Sequence, residues 1–125
     1  MIELETPDHA VIAAAIEVHR NLGPGLLEST YSQCLIYELA ERGVPFLIEP
    51  FVSIKYKKLG IERAFRADLI VADRLIVEIK HVEKILAIHE AQLRTYRKLT
   101  GIKTGLLLNF NTTVLKNGIR RLDLP

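Results

Sequence analysis

With 125 residues, 49% hydrophobic and 26% charged, the chain is long enough for one compact domain with a real core, expected over residues 1–125, and too short for two ordinary ones. A formal net charge of +2 permits contact with a polyanion but excludes the dense positive field of a dedicated nucleic-acid coat protein. The lone Cys34 excludes an internal disulfide framework and suits a reducing, cytoplasmic setting, and the apolar stretch AVIAAAI is too short for a membrane span and lacks the positive flank of a leader peptide.

The first predicted element is a helix from Pro7 to Arg20, with Thr6 in the N-cap position, Pro7 at the first helical position and Ile12, Ala15, Ile16 and His19 on one stripe. The loop NLGPG ends it. A second helical pattern starts near Leu27, runs through SQCLIYELAER and stops at Gly43, so the two helices should form a hairpin. The vocabulary then changes to Val, Phe, Ile and Tyr. FLIEPFVSIKY reads as a strand, KKLG as a turn, FRADLIV as a second strand, and RLIVEIK as a third, reached through a short turn at ADR.

Helical period returns in EKILAIHEAQLRTYRKLTG and closes on Gly101. KTGLLLNF follows as a continuous apolar run suited to a buried strand, and LKNGIRRLDLP is a short tail with room for one more. The order is α-α-β-β-β-α-β. Three strands can pair as a meander and the last helix can cross over to a parallel strand, which predicts an α/β fold with a mixed sheet flanked by helices.

The stretch VEIKH, Val77 to His81, holds the most informative charges. Residues two apart on a strand share a face, so Leu75, Val77 and Ile79 form one apolar face of LIVEIK while Ile76, Glu78 and Lys80 form the other. In the preceding strand Arg66, Asp68 and Ile70 share a face. If three residues, Ala72, Asp73 and Arg74, stay unpaired in the turn, Asp68 falls opposite Glu78; a two-residue turn puts it on the wrong face. Two adjacent carboxylates are unfavourable unless a cation lies between them. Lys80 supplies one positive charge and a divalent metal supplies more. Hard oxygen ligands suit magnesium, which keeps several waters, polarises a phosphoryl oxygen and acidifies a bound water while a lysine ammonium steadies developing negative charge. Glu-x-Lys alone also marks many solvated sheet faces, so further residues decide.

An aspartate followed on the next strand by Glu-x-Lys resembles the PD-(D/E)XK nuclease superfamily. GLLESTY, with Gly25, Glu28 and Tyr31, is similar to the G-x-x-E-x-x-Y signature of a small prokaryotic branch of it, and RADLIV, VEIK, HEAQLRTY, GLLLNF and GIRRL follow in that branch's order, from about His19 to Leu122. Ala67 stands where the superfamily label has proline, a position that carries no ligand. The resemblance implies a restriction-endonuclease-like core and a magnesium-dependent phosphodiesterase, with manganese as a substitute. It implies Asp68, Glu78 and Glu28 as metal ligands and Lys80 as the catalytic lysine. Glu28 would act directly or through water; a first-turn acid complementing a helix dipole is the competing explanation. Gln92 and Tyr96 match a Q-x-x-x-Y helix, and their spacing puts amide and phenol on one face.

His19 reads first as a buried, hydrogen-bonded histidine and second as a neighbour of the site. Tyr31 would pack beneath the site, and His81 and His89 flank it as substrate contacts. The basic stretches Lys55 to Lys58 and Arg120 to Arg121 could meet phosphates, although solvated charge is the commoner explanation. The expected activity is nuclease action on nucleic acid, DNA favoured over RNA; the rival is a binding or regulatory protein that keeps the fold without cleavage. A homodimer would give two sites and a longer footprint on a duplex, but no residue demands it.

Overall fold

The computed structural model describes residues 6–123, so the ends of the expected 1–125 domain and of the LKNGIRRLDLP tail lie outside the described residues. In chain order it contains α1 (Pro7–Leu22), α2 (Glu28–Glu41), β1 (Phe46–Ile48), β2 (Phe51–Tyr56), β3 (Leu59–Arg66), β4 (Leu69–Val71), β5 (Leu75–Lys80), α3 (Ala87–Thr100), β6 (Thr104–Asn109), a 3-10 turn (Leu115–Gly118) and β7 (Ile119–Asp123). No helix among the described residues is long and apolar enough to cross a membrane.

Pro7 opens α1 as expected, but the buried stripe is Val11, Ala14, Ala15 and Val18, and Ile16 is exposed. The stripe lies about one residue from the predicted one. Alanines bury a helix face by letting the backbone approach its neighbour, so following the larger isoleucines misplaced it. Along α2 the buried residues Tyr31, Leu35 and Leu39 recur every four positions, the spacing of one helical face.

The strand region departs most from expectation. FLIEPFVSIKY is broken at Glu49, in the left-handed region at φ 45°, and at Pro50, which has no N–H for a ladder. FRADLIV is likewise broken at Ala67 and Asp68. The expected meander is therefore replaced by two sheets. β2 and β3 pair with each other as an antiparallel ribbon, while the main sheet has the order β1-β4-β5-β6-β7. Within it β5 and β6 are parallel, joined across α3, and the other neighbours are antiparallel. The tail does add a strand, β7.

Both faces of the main sheet are covered. Val77, Ile79, Leu106 and Leu108 pack with Val11, Val18, Tyr31, Leu35 and Leu39 of α1 and α2. On the opposite face Ile70, Ile76 and Leu107 pack with Leu93 of α3, and Val52 of the ribbon and Tyr96 join them. Gly105 permits this closeness, because a Cβ there would lie 2.8 Å from the Leu93 side chain. The mixed sheet flanked by helices is the architecture the sequence predicted, with its strands redistributed.

Candidate metal centre

β4 and β5 pair as Leu69 with Val77, Ile70 with Ile76 and Val71 with Leu75. Ala72, Asp73 and Arg74 are left unpaired, which is the three-residue turn needed to bring Asp68 opposite Glu78. Ala72 and Asp73 reverse the chain at φ 52° and 56°. Asp68 itself stands just before β4. Its Oδ2 accepts from the Ile79 backbone N–H at 2.7 Å, and its carbonyl accepts from the Glu49 N–H at 2.8 Å. The carboxylate is thus held against β5 by the backbone, where a rotating side chain would lose conformational entropy on each binding event.

Beside it Glu78 is 4% exposed, and its Oε1 is buried without a hydrogen-bond partner. Burial, then the negative charge of Asp68, push the Glu78 carboxyl up to about 9, against the pull of Lys80. A carboxyl so placed stays protonated at neutral pH unless a cation offsets its neighbour. Lys80, at the half-exposed end of β5, shares the Glu78 side of the strand by alternation. Its positive charge also reaches the Glu28 carboxyl.

Glu28 is the first residue of α2 and is exposed. Partial burial, then Asp68, raise its pKa, while Lys80 and His81 oppose the rise. It therefore senses the same charges as Glu78 from another element. The surrounding motif explains its position. Tyr31 is wholly buried; its hydroxyl donates to the Gly23 carbonyl at 2.6 Å and accepts from the Leu26 N–H at 3.0 Å. Its ring stacks on Phe110, centroids 4.5 Å apart, and lies 6.0 Å from the His81 ring. Gly25 takes φ 101°, a conformation that a side chain opposes. Glycine and tyrosine of the motif thus shape the loop, and the glutamate is what the loop presents.

On the other side Tyr96 stacks on Phe65, centroids 4.2 Å apart. Burial, then the charges of Glu78 and Asp68, raise its hydroxyl pKa, so α3 brings it near the carboxylate pair. Gln92, four residues earlier, is exposed. His81 buries Nε2 without a partner. His19 and His89 are engaged elsewhere: His19 Nε2 bonds the Thr112 carbonyl at 2.8 Å, and His89 Nδ1 accepts from the Leu86 N–H at 2.9 Å at the start of α3. Arg121 pairs with Asp8 and Asp123, which favours the commoner explanation for that stretch, surface charge, over a phosphate contact.

Asn109 was not singled out by the sequence reading. It is buried, accepts from the Val82 N–H at 3.1 Å and donates to the Val82 carbonyl at 2.8 Å. It ties down the chain leaving Lys80 and His81. The signal for it was an amide ending the apolar run LLLN, because a buried amide requires partners.

Among the described residues no three His, Cys, Asp or Glu side chains gather to hold a metal ion, so the three-carboxylate ligand set is reduced to the Asp68 and Glu78 pair with Glu28 at its rim. The pair still fits a hard divalent cation. Both donors are carboxylate oxygens, one of them a buried oxygen with no partner, and magnesium characteristically takes one or two carboxylates and fills its shell with water. Glu28 would then contribute through water. The profile of the PD-(D/E)XK nuclease superfamily matches residues 5–122 of the chain. No curated protein and no solved structure matches it.

Proposed function

The chain belongs to the PD-(D/E)XK nuclease superfamily, with a restriction-endonuclease-like α/β fold, and from that premise we propose that it is a magnesium-dependent nuclease that hydrolyses phosphodiester bonds of DNA. The observation that best supports this reading is the charge-deficient pair itself: Asp68 held by the Ile79 N–H beside a buried Glu78 whose Oε1 has no partner. Evolving a stable core would favour an apolar residue at such a position, because an unsatisfied buried polar group costs about 1–3 kcal/mol. A function that needs the carboxyl accounts for its presence.

Asp68 and Glu78 would hold the cation, with manganese able to replace magnesium. A bound divalent ion supplies polarisation of the phosphoryl oxygen and acidification of a water molecule. Lys80 then places its ammonium beside that oxygen, where negative charge develops as water attacks phosphorus. Glu28 faces the same space from the N-terminus of α2 and can accept the proton that the attacking water loses. The P–O bond to the leaving oxygen breaks and that oxygen takes a proton from solvent, with no covalent enzyme intermediate. Tyr96 borders the pair from α3 as a hydrogen-bonding group for a phosphate, and the exposed Gln92 one turn earlier would reach the same phosphate from the helix face it shares with Tyr96. His81 is a further substrate contact.

Purified protein incubated with duplex DNA, single-stranded DNA and RNA in magnesium or manganese, beside Lys80→Ala and Asp68→Ala, tests the reading. Cleavage that both variants lose supports it. Cleavage that persists in both, or its absence with all three substrates, contradicts it.

A further inference from the structure

The β2–β3 ribbon is one of two strongly basic stretches of the chain; the other, residues 91–122, holds seven basic and no acidic residues. Residues 51–66 contain Lys55, Lys57, Lys58, Arg63 and Arg66 against a single acid, Glu62. Five of the 17 basic and one of the 15 acidic residues lie there, so the ribbon has a formal charge of +4 and the remaining chain −2. The small overall charge of +2 conceals this segregation.

Three of the cations, Lys55, Arg63 and Arg66, gather on one side. Phe51, Ser53 and Lys55 share the exposed face of β2 by alternation, and the Arg63 and Arg66 guanidinium groups each lie 4.9 Å from the Phe51 ring centroid. Gly60 pairs with Lys55 and has open space where a Cβ would stand, so no side chain shields that stretch. Lys57 and Lys58 form the turn. Arg66 pairs with Glu49; Lys55, Lys57, Lys58 and Arg63 have no ion-pair partner among the described residues. The opposite face anchors the ribbon: Val52 packs with the α3 side of the core, and Phe65 stacks on Tyr96 beside the carboxylate pair. β3 ends only two residues before Asp68.

We infer that the β2–β3 ribbon is the arm that grips duplex DNA, with Lys55, Lys57, Lys58 and Arg63 on its phosphates, and that it presents the backbone to the Asp68 and Glu78 pair. The inference rests on the nuclease reading for the identity of the polyanion. The ribbon favours a duplex by its shape. Phe51 and Tyr56 are 50% and 60% exposed with arginine and lysine cations against their rings, so stacking of a single strand is the competing mode that the test excludes. A two-stranded ribbon fits the major groove of B-form DNA, whereas the deep, narrow major groove of duplex RNA excludes it.

The test measures binding by fluorescence anisotropy in EDTA, without turnover, to one sequence as duplex DNA, duplex RNA and single-stranded DNA across a salt series. The variants are Lys55→Ala/Lys57→Ala/Lys58→Ala and a control that removes three charges at the other end of the sheet, Arg74→Ala/Lys98→Ala/Lys103→Ala. The ribbon variant is expected to lose at least about tenfold in affinity for duplex DNA, with a slope of log K against log salt shallower by about 3, while the control matches the wild type. Circular dichroism verifies that both variants remain folded. Equal losses in the two variants, unchanged affinity in the ribbon variant, or tighter binding of duplex RNA or single strands each overturn the inference. If the ribbon variant alone loses duplex binding yet the wild type cleaves nothing in magnesium or manganese, the arm stands and the nuclease reading falls.

Discussion

Two polar clusters lie near one another at the end of the sheet, and they are built on opposite principles. Around Tyr31 the polar groups of the scaffold are satisfied, the hydroxyl both donating and accepting and Asn109 meeting both backbone groups of Val82, and only the His81 Nε2, on the side of the site, is buried without a partner. Around Asp68 and Glu78 a carboxylate is fixed by a backbone N–H, while its neighbour keeps a buried oxygen with no partner and a pKa raised to about 9. Closed networks of the first kind rigidify a fold. An open one is costly unless something external completes it, so its presence beside a closed one separates scaffold from site.

Substitutions in the two clusters should therefore fail in different assays. The largest effect is expected from Lys80→Ala, which should reduce cleavage by about a hundred- to a thousandfold, the range for removing a group that stabilises transition-state charge, with little change in melting temperature. Tyr31→Ala should do the reverse, lowering unfolding free energy by about 3–5 kcal/mol in urea titrations. A Tyr31→Ala protein as stable as the wild type would break the comparison. Glu28→Gln keeps the shape of the loop and should lower activity about 10- to 100-fold, as for groups that act through a metal's water shell, with unfolding unchanged.

The smallest effect sharpens the comparison through pH. Because the folded Glu78 carboxyl titrates near 9, above its ordinary value of 4.5, the folded state binds the extra proton between those limits, and stability in EDTA should fall as pH rises through that window. Glu78→Gln removes the titration. In EDTA it should remove most of the fall over the same window and exceed the wild type at pH 8 by about 1–3 kcal/mol, measured by urea unfolding at pH 5 and 8.

How much of this was legible in the sequence depended on whether the signal was local. The Asp68 to Glu78 juxtaposition rested on a three-residue turn, which the structure has, and on strand alternation through Asp68, which it lacks, because β3 ends at Arg66 and β4 begins at Leu69. Pro50 was a visible break, yet the apolar run around it suggested continuity, so the ribbon was merged into the main sheet. Glu28 could not be placed by periodicity, since its position depends on a loop pinned by Tyr31; the ordered motif supplied it. Asn109 escaped notice because its partner Val82 is 27 residues away, a contact with no local pattern. His89 was attached to the site by sequence proximity, but its ring is used to cap α3.

The central claim is that the Asp68 and Glu78 pair is completed by a divalent cation. Isothermal titration of manganese into the wild type, Asp68→Asn and Glu78→Gln at pH 7.5, in buffers of different ionisation enthalpy, tests it most directly. The account predicts saturable binding by the wild type with release of about one proton per ion, from Glu78, and loss of that binding in both variants. Undiminished binding by Asp68→Asn and Glu78→Gln, or binding without proton release, would contradict it.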